Sequence, residues 1–441
     1  MGVKFLDGMP MSSSQQLKNE RVKCMPKIRF KEFINDEWNS GELSQLSNVK
    51  LSNGVFNDPK KVGSGYKLIN VADMYIGKCI DEQKLSLINI SKHEFYKNKV
   101  EYGDIFFTRS SLVKSGIAYS NIYLEQSDDV TFDGHLIKFK PNQEKNSSIF
   151  IHYLLKTHAV RSQLIARGKT TTMTTIGQED VASIKVHYPC KDEQQKIANC
   201  LFSLDNFIEI LSKKLDSYKQ HKIALLQQLF PKGGENLPKL RLGKFSQEWK
   251  NIELSQIAKP VKKKNSNEDE LNVLSLSNEY GLVSQADYFL KKVAGDNTDR
   301  YIVLQKNDFV YNDRITKNST YGTIKRLSLY ESGIVSPIYK CFRFEKNQNP
   351  IFWEYFFESK VHESEIKQIV NEGARAGRYN ISIDKFLSIN VMQPSPTEQE
   401  KIASCLTSLD CLISNQINYI EELKKHKKGL MQQLFPVVEE I

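Results

Sequence analysis

Glu193-Gln-Gln-Lys-Ile-Ala198 recurs 205 residues later as Glu398-Gln-Glu-Lys-Ile-Ala403, and this recurrence decides how the chain must fold. The same offset carries Ser203-Leu-Asp205 onto Ser408-Leu-Asp410. It also carries Gln227-Gln-Leu-Phe-Pro231 onto Gln432-Gln-Leu-Phe-Pro436. About half of the positions from 193 to 231 are identical to their counterparts, without a gap. A segment written twice at this length predicts a duplicated architecture.

A second pair of matching segments opens each half of the chain. Pro26-Lys-Ile-Arg-Phe30 with Trp38 corresponds to Pro238-Lys-Leu-Arg-Leu242 with Trp249. Between the openers and the repeats lie two stretches, roughly 47–190 and 258–394, which share a plan but little sequence. They differ either because they do different jobs or because they do one job on different targets.

The repeated segment has the periodicity of a coiled coil. Its apolar residues alternate steps of four and three, which is the pattern of a narrow coiled-coil seam. We assign the seam, and with it subunit docking, to Ile197, Leu201, Leu204, Ile208, Leu211, Leu215, Ile402, Leu406, Leu409, Ile413, Ile420 and Leu423. Lys222 and Lys427 interrupt both seams at one heptad position.

Each repeat predicts a helix of about 37 residues, about 55 Å long at 1.5 Å per residue, and a seam of that length needs a partner. The other copy, lying antiparallel, is the economical partner, although each helix could instead pack only on its own domain. We therefore expect a mixed α+β (α/β) protein with two pseudo-symmetric globular domains joined by two long antiparallel coiled-coil helices. The predicted segments are a lead of residues 1–24, disordered or not native, a first domain 25–190, a central helix 191–236, a second domain 237–394 and a C-terminal helix 395–441.

Composition points to a nucleic-acid partner. The 441 residues carry a net charge of +10 and a pI near 9.0, and Lys and Arg supply most non-specific affinity for phosphate backbones. No run of roughly 20 apolar residues or signal-peptide core is present, so we expect no membrane span. Seven cysteines without a C-x-x-C pair favour reduced thiols and a cytoplasmic protein.

Both variable domains contain basic loops of the kind that contact DNA. Each has a polar loop after a strand and a glycine-containing basic loop before its last strand. Arg can donate two hydrogen bonds to guanine, and hydroxyl groups can contact bases or phosphates. A solvated or structural ion pair is the alternative for any one of them. The candidate DNA-binding residues are Arg109, Lys114, Arg167, Lys169, Thr170, Arg314, Lys317, Arg375, Arg378 and Tyr379.

The motifs of several enzyme classes are missing from the sequence. There is no Pro-Pro for an amino-methyltransferase loop and no H-E-x-x-H. Val62-Gly-Ser-Gly-Tyr66 lacks the later glycine of a dinucleotide loop, and Gln163 stands where a P-loop ending in Gly168-Lys-Thr170 needs glycine. The eight histidines form no metal-binding set. We therefore expect no catalytic residues, no metal and no cofactor in this chain.

The doubled plan, with E-Q-x-K-I-A, L-D and a helix ending in Gln-Gln-Leu-Phe-Pro, resembles the specificity (S) subunits of type I restriction-modification systems. The resemblance covers roughly residues 26–436. It implies that each variable domain is a target recognition domain for one half of a bipartite, asymmetric site in double-stranded DNA. It also implies that two methylation subunits dock on the repeated helices and that restriction subunits complete the complex. S-adenosylmethionine, ATP and Mg would then be used by those partners, in adenine methylation and ATP-dependent cleavage.

Two other classes remain open at the level of sequence. A stand-alone DNA-modifying enzyme would act on DNA with S-adenosylmethionine by itself. A structural coiled-coil adaptor would bind no DNA selectively, even with methylation subunits present.

Overall fold

The computed structural model describes residues 25–56, 58–267, 269–288, 298–317, 319–370 and 377–436. These form two compact units. Unit 1 comprises the residues up to Ser212 together with those from Tyr419 onward, and unit 2 comprises Lys213–Asn418. Both boundaries fall inside the repeated helices, so each unit contains one part of each helix, whereas the sequence-based segments kept helices and domains apart.

The two repeated helices are the longest elements, with 39 residues each: α5 (Lys191–Leu229) and α10 (Pro396–Leu434). Among the other elements, unit 1 contains helices α1 (Lys92–Lys97), α2 (Ser148–Leu154), α3 (His158–Arg167) and α4 (Gln178–Ala182). Its strands are β1 (Asn39–Glu42), β2 (Ser52–Asn53), β3 (Val62–Ile69), β4 (Ser86–Ile88), β5 (Ile105–Thr108), β6 (Ser110–Ser111), β7 (Ser120–Ile122), β8 (Val130–Phe132), β9 (Leu136–Phe139), β10 (Lys169–Thr170), β11 (Thr174–Thr175) and β12 (Lys185–Tyr188).

Unit 2 contains helices α6 (Gln285–Tyr288), α7 (Pro350–Glu358), α8 (Glu363–Ile369) and α9 (Ile383–Leu387). Its strands are β13 (Lys250–Glu253), β14 (Ala258–Pro260), β15 (Leu274–Ser277), β16 (Gly281–Ser284), β17 (Ile302–Gln305), β18 (Phe309–Asn312), β19 (Thr323–Arg326), β20 (Ser332–Val335), β21 (Lys340–Phe344) and β22 (Asn390–Gln393). The predicted mixed α+β class with two long helices is confirmed.

Both units are built on the same sheet plan. The strand of the opener pairs antiparallel with the last strand before the repeated helix, β1 with β12 and β13 with β22. A four-stranded sheet follows, in the order β2-β9-β5-β7 in unit 1 and β14-β21-β18-β19 in unit 2. Unit 1 adds a sheet β4-β3-β8, whose β3–β8 pair is parallel, and unit 2 adds the pairs β15–β16 and β17–β20. The shared plan lies beneath sequences that differ.

The end of each repeated helix packs into a hydrophobic core together with the beginning of the other repeated helix. In unit 1, Leu434 and Phe435 of the second repeat are buried in one cluster with Ile197 and Leu201 of the first. In unit 2, residues 226, 229 and 230 of the first repeat share a cluster with residues 402 and 406 of the second. Inside each unit the repeats therefore complete one another.

The helical segments run antiparallel within each unit. In unit 1, Asp205 contacts Lys427, while Phe207, further along α5, meets Tyr419, earlier in α10. The seam side chains are buried at Ile197, Leu201, Leu211, Ile402, Leu406, Leu409 and Ile420 and half-buried at Leu204, Ile208, Leu215, Ile413 and Leu423. Their seam role follows from this burial, and their assignment to subunit docking stays a prediction.

The repeated Glu-Gln pair fixes the start of each long helix. Glu193 is fully buried and accepts two hydrogen bonds from Arg29 of the opener, at 2.9 and 2.6 Å. Arg241 and Glu398 form the same fork in unit 2, at 2.8 and 2.7 Å. Such bidentate pairs combine charge with fixed geometry, which explains why the opener and the repeat recur together.

The following glutamine caps a second helix in each unit. Gln194 Oε1 accepts from the backbone N–H of Ser147, which precedes α2, and its Nε2 donates to the Pro189 carbonyl. Gln399 makes the equivalent bonds to Asn349 and Pro394 in unit 2. A buried amide with its donor and acceptor both satisfied joins the repeat to the variable domain.

The glycines of Val62-Gly-Ser-Gly-Tyr66 belong to an irregular strand. The register of β3 against β4 shifts between Val62 and Tyr66. Gly65 has a φ of +97°, and a Cβ there would overlap the Ile88 carbonyl. A bulge with close backbone approach accounts for glycine at this position.

Candidate nucleic-acid interface

In unit 1 the two predicted DNA-contacting loops meet in one small sheet. Strand β11 pairs with β10 on one side and with β6 on the other. Thr175 lies opposite both Lys169 and Ser110, and Ser110 directly follows Arg109. Segments 60 residues apart are therefore held side by side by backbone hydrogen bonds.

The basic side chains of this sheet face solvent. Arg109 is exposed, while its backbone is fixed through its N–H to His135 and its carbonyl to Ile176, both at 3.0 Å. Lys114 is exposed in the adjoining 3-10 turn. Lys169 is also exposed, with Asp180 3.4 Å away. An exposed pair of this kind contributes little to stability, so both Arg109 and Lys169 remain free to contact an anion.

Thr170 and Arg167 have internal partners. The Thr170 hydroxyl lies 2.9 Å from that of Thr174 across the hairpin. The half-buried Arg167 donates to the carbonyl groups of Gln163 and Ser183 at 3.3 and 3.5 Å, at the end of α3. These bonds favour the structural alternative for Arg167 over DNA contact.

Unit 2 joins the corresponding loops by a shorter contact. Arg314 and Arg378 form an isolated antiparallel bridge, and the Ile315 N–H donates to the Gly377 carbonyl at 2.7 Å. Arg314 and Lys317 are exposed. Arg375 lies outside the described residues. The two units thus bring equivalent loops together with different backbone geometry.

A buried carboxylate organises the unit 2 loops. Asp313 is fully buried and accepts from Lys340 at 2.8 Å, from Arg378 at 3.2 Å and from the Ile381 N–H at 3.1 Å. Arg378 also donates to Asn312 at 3.1 Å. Its guanidinium group is therefore engaged within the protein, and Arg314 is the arginine of this pair with an exposed side chain.

Two residues beside the unit 2 loops were not predicted from the sequence. Tyr321 stacks on Tyr379 with ring centroids 6.1 Å apart and planes inclined by 13°, and Lys340 is the closest cation to Asp313. Tyr321 stands beside Gly322 in the polar loop, so an aromatic residue beside that glycine was an available signal. Nothing local in the sequence connects Lys340 to Asp313.

Among the described residues, no group of three or more His, Cys, Asp or Glu side chains could hold a metal ion. None of the helices in the described part of the chain combines the length and the apolar composition that a membrane span requires.

Comparisons with known proteins show what this chain resembles. Residues 35–220, which contain the unit 1 loops, match the type I restriction modification DNA specificity domain. The chain is therefore similar to the type I restriction-modification specificity family. The putative MjaX specificity subunit of Methanocaldococcus jannaschii is 25% identical over 227 residues, covering 50% of this chain and 52% of that protein. The chain therefore spans about half the length of this relative.

Two further likenesses extend over more of the chain. The type I restriction enzyme MjaVIII specificity subunit of the same organism is 23% identical over 317 residues, covering 68% of this chain and 72% of that protein. The crystal structure of the type I S subunit from M. genitalium has a TM-score of 0.54 and 15% identity, covering 94% of this chain and 100% of that chain. At this identity the structural likeness establishes a shared fold.

Proposed function

We propose that this chain is the sequence-reading subunit of a type I restriction-modification complex and is not itself a catalyst. Each unit reads one half of a bipartite, asymmetric site in double-stranded DNA. The observation that carries the proposal is the joining, in both units, of two distant polar and basic loops that keep Arg109 and Arg314 exposed. Two arginines presented from a fixed backbone are suited to bidentate contacts with guanine.

The different loop sequences support an asymmetric site. Unit 1 offers an arginine, two lysines and several hydroxyl groups on a three-stranded sheet. Unit 2 offers Arg314, Lys317 and a stacked tyrosine pair, which has aromatic faces able to contact sugars or bases. Two unlike reading surfaces on one scaffold suit two unlike half-sites.

Methylation subunits dock, in this proposal, on the outward faces of the repeated helices. Phe207 and Leu412 occupy the same position of the repeat and are 41% and 50% exposed. We take an apolar side chain that is exposed at the same place in both repeats as a contact for the partner. Their equivalent positions suit two copies of one partner. Phe207→Glu and Leu412→Glu should therefore each reduce the mass of the complex by one methylation subunit, as measured by size-exclusion chromatography with light scattering.

The chemistry would belong to the partners. S-adenosylmethionine would be bound by the methylation subunits, and ATP and Mg by the restriction subunits, with none held by this chain. Incubation of the purified chain with DNA and labelled S-adenosylmethionine should therefore transfer no methyl group until methylation subunits are added. Transfer by the chain alone would favour a stand-alone modifying enzyme.

A domain exchange tests the reading function. Residues 258–394 are replaced by the matching domain of a relative that reads a different site, and the methylated motif of the host genome is sequenced. One half of the motif should change while the other is retained. The reciprocal exchange of residues 47–190 should change the other half. A motif that changes in both halves after either exchange, or in neither, would contradict the proposal.

A further inference from the structure

Unit 1 contains an open groove of about 1140 Å³ where the start of α3 meets the paired helices. It is lined by five lysines, Lys27, Lys156, Lys424, Lys427 and Lys428. Of the described residues that line it, Asp205 alone is acidic. This volume exceeds that of most small-molecule pockets, so the groove has room for a segment of peptide.

The charges at the floor of the groove are unbalanced. Asp205 accepts from the Tyr153 hydroxyl at 2.6 Å and from Lys427, also at 2.6 Å. Lys156 is half-buried beside this pair, and its ammonium group makes no hydrogen bond or ion pair to any described residue. Burial, and then the charge of Lys427, lower the pKa of Lys156 to about 8. Two cations therefore share one carboxylate, and a partly buried charge without a partner costs free energy.

Unit 2 shows the balanced form of the same cluster. Lys222 lies 3.0 Å from Asp410, which accepts from the Tyr355 hydroxyl at 2.7 Å. At the position equivalent to Lys156, three residues after the tyrosine, stands Glu358, which is 2.8 Å from Lys222. Here one cation has two carboxylates. Although burial opposes it, Glu358 and Asp410 raise the pKa of Lys222.

Other positions around the groove also carry more positive charge in unit 1 than in unit 2. The counterparts of Lys156, Arg161 and Lys428 in unit 2 are Glu358, Glu363 and Ile223. The charge is therefore reversed at two of these positions and removed at the third, while Lys27, Lys424 and Lys427 have lysine counterparts in unit 2. A partner that docked identically on both units would not require these differences.

The groove also has apolar walls. Phe435 is buried, Met431 and Ile208 are half-buried, and all three line it. The first residues of α3, Thr157 to Ala159, lie at its edge, and the Thr157 hydroxyl donates to the Leu154 carbonyl without capping the helix. Helix starts with free N–H groups favour anionic ligands. A phosphate backbone offers no apolar group for Met431 and Phe435, whereas an acidic peptide does.

We propose that this groove binds an acidic peptide segment of a protein partner, with a carboxylate reaching Lys156 and Lys427 and an apolar side chain resting on Met431 and Phe435. The partner binds once per chain because unit 2 has acidic side chains, Glu358 and Glu363, at the positions of Lys156 and Arg161. The site is separate from the DNA-reading loops and does not depend on them.

The test uses the full chain and a fluorescein-labelled peptide of Glu-Leu-Glu repeats, with a Gln-Leu-Gln peptide as the uncharged control. Anisotropy should show saturable binding of one Glu-Leu-Glu peptide per chain, weakening as salt rises. Lys156→Glu, which reproduces the unit 2 arrangement, should raise the Kd at least about tenfold, the scale expected from one close charge pair. The matched variant Glu358→Gln in unit 2 should leave the Kd unchanged.

Lys156→Met separates folding from binding. It removes an unpaired half-buried charge without adding one, so the melting temperature should not fall while the Kd rises. No saturable binding up to millimolar peptide, equal binding of the Gln-Leu-Gln peptide, or an unchanged Kd in both Lys156 variants would overturn the proposal. Displacement of the peptide by inorganic phosphate at submillimolar concentration, or by a short DNA duplex, would overturn the peptide assignment in favour of a simple anion site or a DNA site.

Discussion

Lys427 Nζ in the second repeat lies 2.6 Å from Asp205 Oδ2 in the first. The converse pair, Lys222 in the first repeat and Asp410 in the second, is formed in unit 2. Each lysine also lies over the ring of a tyrosine that donates to the same aspartate, 5.1 Å from Tyr153 and 5.2 Å from Tyr355. The two lysines that interrupt the apolar seam are thus the counter-ions by which each repeat recognises the other.

Removing the two lysines should have unequal effects. Lys222→Met leaves Glu358 and Asp410, whose side chains are 40% and 39% exposed, close together without a cation, and should cost about 1 kcal/mol of unfolding free energy. Lys427→Met should cost less, because Lys156 is placed to take over as the partner of Asp205. Urea unfolding measures both. Lys424→Met, in an exposed pair with Glu421, is the control. A larger loss for Lys427→Met than for Lys222→Met would contradict the charge assignment.

The stability of unit 1 should depend on pH through the protonation of Asp104. Its side chain is fully buried, and burial raises its pKa from 3.8 to about 6. The folded state therefore holds the proton more tightly than the unfolded state. The resulting loss of unfolding free energy is absent below about pH 4 and grows between about pH 4 and 6. Above pH 6 it stays constant, at no more than about 3 kcal/mol.

Asp104→Asn should remove that cost. We expect the variant to lose less stability than the parent between pH 4 and 6, as measured by urea unfolding at several pH values. The equivalent carboxylate in unit 2, Asp308, accepts two bonds from Arg343 at 2.5 and 2.8 Å. Asp308→Asn should therefore destabilise the protein at neutral pH. Parallel behaviour of the two variants would refute the distinction.

Exposed and internally bonded arginines should differ in their effect on the methylated motif. Arg109→Ala and Arg314→Ala should each relax one motif position, at a cost of about 1–3 kcal/mol in binding. Arg167→Ala should lower stability through its lost carbonyl contacts while the motif stays intact. Genome methylation sequencing and a melting curve read the two effects separately. If Arg109→Ala and Arg314→Ala weaken binding to all sequences equally, these residues contact phosphate.

Lengthening both helices together should change the gap between half-sites. Seven residues inserted after Ser212 and seven after Asn418 preserve the heptad register and add about 10 Å per helix. That is about three base pairs at about 3.4 Å per step. Insertion after Gln228 is unsuitable because Leu229 and Phe230 are buried in the unit 2 core. Unchanged half-sites with an unchanged gap would mean that the helices do not set the spacing.

The repeat carried most of what could be predicted from the sequence. The apolar period of α5 and α10 is a local property, so the helices and their buried seams follow from it. The pairing of β6 with β11 joins segments some 60 residues apart, which no local pattern encodes. For the same reason the sequence could not distinguish Arg109, exposed beside that sheet, from Arg167, whose guanidinium finds carbonyl groups in its own unit.

The most informative residues in the sequence were the two lysines that interrupt the apolar seam. Lys222 and Lys427 are costly in an apolar seam, and their recurrence marked a polar contact whose partner only the structure supplies. The sequence also shows that Lys156 corresponds to Glu358. Only the structure shows that these two residues lie beside Lys427 and Lys222, where they change the charge balance.

The burial of Leu434 and Phe435 in unit 1 bears on the order in which the chain can fold during synthesis. Domains generally fold as they emerge, the N-terminal one first. Here the described core of the first-made unit still lacks its closing residues when nearly the whole chain has been translated, since the Ile28 N–H bonds to the Gln433 carbonyl. Unit 2, one unbroken stretch from Lys213 to Asn418, can close earlier. A chain truncated after Asn418 should therefore fold its second unit and leave the first one unfinished.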